Sequence, residues 1–262
     1  MVRKSQVERR STGKTPSARQ RAYLHIQRRV ASGHLKAGTP ISEVELASEL
    51  GSSRTPVREA IGQLIAEGLL EQSPTGGTLV VQLKREDILE LYELREALEV
   101  YEVGKIVRMG LRRDESLQLQ ALVDDLLSLK NELVRSGAET LDTDQMNRFI
   151  THDLSFHAML MSMAQNSRIQ KVVNDTRLLI RIFACYRRGH AATLLEQIHR
   201  EHQDLLDAMA NNDAERAMQL IAAHVRTSLR DRLQDFDLGK REASMRASIP
   251  AMFDGQDDLV KR

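Results

Sequence analysis

Between Lys84 and about Phe236 the chain never shows the two-residue alternation of apolar and polar side chains that a half-buried strand requires. Apolar residues recur there every three or four positions, so more than half of the sequence can fold only as helices packed on one another. Breaks at Gly110, Ser136-Gly137, Asn166, Gly189 and Asn211-Asn212-Asp213 divide it into helices near 85–109, 114–135, 142–164, 167–186, 191–211 and 213–236. Six or seven helices imply a bundle spanning residues 83–236. Residues 237–262 mix charge with Gly239, Pro250 and Gly255 and are expected to form a loosely held tail.

The first quarter reads differently. Ala22, Tyr23, Ile26 and Val30 share one face of a helix over 17–32, which Gly33 closes. Gly38-Thr39-Pro40 turns the chain, and Ser42 caps a short helix bearing Val44, Leu46, Ala47 and Leu50 that Gly51 ends. A further helix covers about Thr55 to Glu67, with Pro56 in its first turn and Val57, Ile61, Leu64 and Ile65 facing inward. After Gly68, Leu69–Gln72 and Thr78–Val81 flank Pro74-Thr75-Gly76-Gly77 as a hairpin. This order is that of a winged helix-turn-helix domain over 17–82, preceded by a basic flexible leader over 1–16. The expected fold is therefore mainly α, an N-terminal winged helix-turn-helix followed by an all-helical bundle.

Charge follows the same division. Overall, 38 basic side chains face 37 acidic ones, which excludes a uniformly basic coat protein. Residues 1–82 nevertheless hold 12 basic and 7 acidic residues, and the remainder 26 and 30, so the first domain suits a polyanion. The single cysteine, Cys185, in Ile182-Phe183-Ala184-Cys185-Tyr186, reads as a small apolar helix residue and points to a reducing compartment. No run approaches the roughly 18 apolar residues of a membrane helix, and no apolar stretch follows Met1-Val2-Arg3-Lys4. A cytoplasmic location, with no membrane partner, is expected.

Ser53-Arg54-Thr55-Pro56-Val57-Arg58 opens the second helix of the helix-turn-helix pair, the end that meets base edges in the major groove. Arg54 and Arg58 are four apart and share a face, and each guanidinium can offer paired donors to guanine. Ser53 and Thr55 can hold phosphate. These residues, with Glu45-Leu46-Ala47, Leu50-Gly51, Glu59-Ala60-Ile61, Leu64 and Glu67-Gly68-Leu69, resemble the DNA-binding signature of GntR-type bacterial transcriptional regulators. The resemblance implies that Arg54, Thr55 and Arg58 contact operator DNA and that Gly76 and Gly77 let the wing enter the minor groove. A fatty-acid-responsive branch of that family carries arginine where this chain has Val44, so operator sequence does not carry over.

Four residues of the bundle have spacings that suit a metal. Asp153 and His157 are four apart on one helix, and His202 and His224 lie ten or eleven residues to either side of the turn at 211–213. That is about 16 Å up each of two antiparallel helices, hence one level. A carboxylate with imidazoles suits zinc, nickel, manganese or iron. From spacing alone, a metal site and an ordinary set of polar bundle residues remain equally open. His25, His34, His152, His190 and His199 read as surface or capping residues.

Tyr92-Glu93-Leu94-Arg95-Glu96-Ala97-Leu98-Glu99, Asp153, Phe156-His157, Asn166, Glu201-His202, Asp207-Ala208, Asp213, Ala217 and His224 resemble the FCD effector domain of FadR-like GntR regulators. The resemblance implies that Asp153, His157, His202 and His224 bind a divalent metal, zinc first among the candidates. It further implies a small carboxylate effector completing the coordination and pairing with Arg95; Asn174, Arg177 and Arg181 are candidates to line the same cavity, with no firm assignment from their spacing. An ion pair with Glu99 is the other reading of Arg95. The expected function is a homodimeric, metabolite-responsive repressor, not an enzyme. A metal-dependent enzyme fused to a DNA-binding module, or a sensor for which the metal is itself the signal, are the alternatives.

Overall fold

The computed structural model describes residues 16–184 and 189–248; the leader up to residue 15, Cys185 and residues 249–262 lie outside the described residues. The chain divides into two compact units between Gln82 and Leu83. In the first, α1 (Ala18–Ala31), α2 (Glu43–Glu49) and α3 (Arg54–Ala66) surround a core containing Ala22, Ile26, Val30, Leu46, Val57, Leu64 and Leu69. Ser17 caps α1 by accepting from the Gln20 amide, and Ser42 caps α2 by accepting from Glu45. A small antiparallel sheet completes the unit: β1 (Pro40–Ile41), β2 (Leu70–Gln72) and β3 (Thr78–Val80), in the order β1-β3-β2. The sequence expectation was a two-stranded hairpin with Pro40 in a turn. Instead Pro40 sits on an edge strand, where its missing N–H costs no ladder bond, while Val80 donates to the Thr39 carbonyl and accepts from Gly38.

Among the described residues the second unit is built on six helices: α4 (Arg85–Met109), α5 (Arg113–Ser136), α6 (Thr143–Met163), α7 (Ser167–Ala184), α8 (Ala192–Ala210) and α9 (Ala214–Ser248). The last helix overruns the end expected near Phe236 and takes in the first part of the expected tail. Gly239 is tolerated there because its neighbours Lys240, Arg241 and Glu242 are good helix formers. Buried Leu119, Val123, Leu126, Leu129 and Leu133 form one stripe of α5, at the three- and four-residue steps that a packed helix requires. Asp142 and Gln145 close a reciprocal capping box at the start of α6, each side chain accepting from the other's backbone amide. α4 and α9 run antiparallel in close contact, with Glu96 bonded to Arg226 and Arg85 paired with Asp237. Gly104 permits that approach: a Cβ there would lie 2.6 Å from the Met218 sulfur.

Glu102, also on α4, is fully covered, and neither carboxylate oxygen has a hydrogen-bond partner. Burial pushes its carboxyl above the ordinary 4.5, with Lys105 opposing. Because the unfolded chain gives up this proton more readily, stability declines as pH rises from that value through the folded-state titration. Glu102→Gln removes the effect. The gain in thermal midpoint over the parent should therefore be larger at about pH 8 than at about pH 4, and an equal change at both would refute the assignment.

Candidate functional site

Three helices converge on one point. Asp153 and His157 come from α6, His202 from α8 and His224 from α9, and their ligating atoms all lie within 4.8 Å of one another. The turn at 211–213, where Asn212 takes a left-handed φ of 56°, folds α8 and α9 antiparallel and brings the two later histidines level. All three imidazoles are buried, and Asp153 is partly so. Oδ1 of Asp153 lies 3.8 Å from His157 Nε2 and 3.9 Å from His202 Nε2, and His157 Nε2 is 3.2 Å from His224 Nε2.

Two carboxylates behind the rings set their tautomers. Nδ1 of His157 is 2.7 Å from Glu99 Oε2, and Nδ1 of His224 is 2.8 Å from Glu201 Oε2. A carboxylate accepts only, so each ring donates its Nδ1–H outward. The Nε2 atoms of these two rings then face each other across 3.2 Å. Burial pushes the His157 imidazole down to about 4 against the pull of Glu99, and burial holds His202 well below the usual histidine range, so at neutral pH these two carry no charge. Nε2 of His202 is buried with no hydrogen-bond partner, its ring stacked on Phe156 at 4.1 Å. Burial opposes ionisation of Asp153, yet its electrostatic interactions with His157, His202 and Arg95 outweigh it and hold its carboxyl below the ordinary range. Converging lone pairs, an anion and an orphaned buried nitrogen are what a cation would satisfy. The donor set fits a divalent metal of the zinc, nickel, manganese or iron class.

Neither Glu99 nor Glu201 was picked out from the sequence as a support for the histidines. Glu99 entered only as a possible surface partner for Arg95. The pair exists, with Arg95 Nε donating to Glu99 Oε1 at 2.5 Å, but both side chains are buried. Arg95 therefore braces the carboxylate that orients His157. It also lines a cavity of about 30 Å³ beside the quartet, together with Tyr92, Asp153, His190, Glu201 and Ser228. Tyr92 Oη is buried there without a partner. His190, read from sequence as a surface residue, is buried with its ring edge-on to Phe149. Asn174 lies on α7, and its side chain is outside the described residues.

In the first unit Ser53, Arg54, Thr55 and Arg58 form an exposed cluster at the start of α3. Arg54 and Arg58 are 59% and 64% exposed, and both bond to Glu43 on α2. Gly76 and Gly77 occupy the tip between β2 and β3 at φ of 93° and 87°, a region that side chains other than glycine rarely adopt. A Cβ added at either position would meet nothing within 4 Å, so the tip is open to a partner surface.

Comparison with known proteins agrees with both halves. Residues 18–80 match the family described as bacterial regulatory proteins, gntR family, and residues 90–227 match the FCD domain. The chain is 30% identical over 194 residues to the Nta operon transcriptional regulator of Aminobacter aminovorans, covering 74% of this chain and 84% of the relative. It is 27% identical over 219 residues to the probable D-xylose utilization operon transcriptional repressor of Paenarthrobacter nicotinovorans, covering 84% and 89%. Among solved structures, Escherichia coli McbR/YncC shares the fold at a TM-score of 0.69 and 20% identity, over 85% of this chain and all of that one. No helix among the described residues is long and apolar enough to cross a membrane. The chain is thus a transcriptional regulator of the gntR family, in the branch whose C-terminal domain is an FCD domain.

Proposed function

We propose that the chain is a homodimeric repressor that leaves its operator when a small organic acid binds at a divalent metal held by Asp153, His157, His202 and His224. The observation that carries the metal is the meeting of imidazole lone pairs around Asp153, with His202 Nε2 left without a partner. Once bound, the ion would supply an open coordination position for a carboxylate. Arg95 would then meet that carboxylate, a role suited to a fixed guanidinium fork, with Asn174 as a further contact. Zinc is the first candidate because it accepts this mixed nitrogen and oxygen set at low coordination number. Ser53, Arg54, Thr55 and Arg58 read and hold the operator, and Gly76 and Gly77 let the wing tip approach it. Repression is carried over from the D-xylose relative, which bears that description.

The cavity beside the quartet is small, about 30 Å³, room for little more than ordered water. An organic acid is several times larger, so its entry has to displace the lining. That requirement couples binding to conformation: an effector that prefers the opened form by about 1.4 kcal/mol weakens operator binding tenfold. Duplexes selected by the full chain from a randomised pool should converge on a short inverted repeat, as a two-fold dimer demands. A panel of hydroxy- and dicarboxylates added to the metal-loaded protein should contain members that release the selected duplex. Failure of every one to change operator affinity, with metal bound, would refute the effector reading.

A further inference from the structure

Glu43, at the start of α2, bonds to both Arg54 and Arg58. Its Oε1 and Oε2 accept from Arg58 Nε at 3.0 and 3.2 Å, and Oε2 accepts from Arg58 Nη2 at 2.8 Å and from Arg54 Nη2 at 3.3 Å. The carboxylate thus engages the side edge of the Arg58 guanidinium. A guanidinium has five N–H donors, so this leaves the end-on pair formed by Nη1–H and the outer Nη2–H pointing away from Glu43. That pair has the spacing of guanine O6 and N7.

Glu43 is not needed to hold the fold together. Both arginines are mostly exposed and Glu43 is 27% exposed, and ion pairs of this kind contribute little to stability. The short helix α2 is anchored independently, by its Ser42 cap and by buried Leu46 and Ala47. What Glu43 does is restrict two otherwise mobile side chains and set a negative charge beside the groups that approach a polyanion.

We propose that Glu43 is a positioning residue for base readout and a selectivity filter against non-cognate DNA; this rests on Arg54 and Arg58 being the reading arginines. With the cognate base pairs in place, Arg58 keeps its side-on bond to Glu43 and reads guanine end-on, with little further loss of side-chain freedom. On unrelated DNA the arginines find only phosphate. They must then leave Glu43 to reach it, or hold it with the carboxylate repelling the backbone nearby, and either choice penalises binding. Glu43 therefore strengthens discrimination while weakening sequence-independent attraction.

The test compares the full-length parent with Glu43→Ala, Glu43→Gln and Arg58→Ala. The probes are a duplex selected from a randomised pool by the parent, single-base-pair variants of it, and an unrelated duplex, each titrated at several salt concentrations. Glu43→Ala should lower the ratio of specific to unrelated affinity about tenfold, with the unrelated duplex bound as tightly as by the parent or tighter. Its salt slope on unrelated DNA should steepen by up to about one counterion. Glu43→Gln keeps an acceptor without the charge, so it should retain more discrimination than Glu43→Ala while showing the same steeper slope. Adding Glu43→Ala to Arg54→Ala/Arg58→Ala should change discrimination no further. A parent-like ratio in Glu43→Ala, or a parallel fall on both duplexes, would overturn the role of Glu43. Parent-like specific binding by Arg58→Ala would overturn the reading of the arginines themselves, so the two failures are distinguishable.

Discussion

Purified and dialysed beside the parent, the double variant His202→Ala/His224→Ala is expected to contain no stoichiometric metal by elemental analysis, and its operator binding should no longer respond to carboxylates. Two of four protein ligands are gone, and neither remaining side chain can rebuild the set. Each single variant should lose most of the metal. Glu99→Gln and Glu201→Gln are the more revealing changes, because neither removes a ligand. Each replaces the acceptor that holds an imidazole in its Nε2-bare tautomer, and losses of about 10- to 100-fold in metal affinity are expected. Arg95→Ala would be neutral for the metal if Arg95 met only the effector. Its bond to buried Glu99 makes a weaker metal site the expected result, since truncation leaves that carboxylate uncompensated. Stoichiometric metal persisting in the double histidine variant would refute the assignment of the quartet.

The second large effect concerns the exposed arginines at the start of α3. Arg58→Ala should bind the selected operator roughly 5- to 150-fold more weakly, the range for loss of one bidentate guanine contact. Its thermal midpoint should stay near that of the parent, because the side chain is 64% exposed and its partner Glu43 is on the surface. Arg54→Ala should behave alike, and the two should not add fully, since both arginines share the Glu43 carboxylate. Gel-shift titrations on the operator and on a scrambled duplex check the point. Equal weakening on both would assign these arginines to phosphate contact instead.

Much of this arrangement was legible in one dimension. Asp153 and His157 share a helix face by their four-residue step, and the Asn211-Asn212-Asp213 turn let His202 and His224 be levelled by counting residues. Helix periodicity also foretold the bundle, since each stripe, as in Leu119 to Leu133, is a local property of one segment. The carboxylates behind the rings were not legible. Glu99 sits four residues after Arg95 and was absorbed into that pair, while Glu201 is adjacent to His202 on α8 and serves instead the ring of α9. Such contacts depend on how helices are rotated against each other, which spacing within one segment does not specify. The same holds for His190, whose burial beside Phe149 arises where the chain around Leu141 bonds to the His190 carbonyl, and for β1, whose two residues are too few to show a period.

The length of α9 gives the Asp153–histidine cluster mechanical reach. One uninterrupted helix of 35 residues carries His224 in its second quarter and continues to Ser248. At about 1.5 Å per residue, Met245 stands roughly 30 Å from His224 along the axis. A rod of that length is a lever arm: a tilt of about 5° at the histidine carries the far end through about 3 Å, the length of a hydrogen bond. Met245 is 68% exposed, so a spectroscopic label there would register angular changes at the buried centre that are too small to resolve at the ligands themselves.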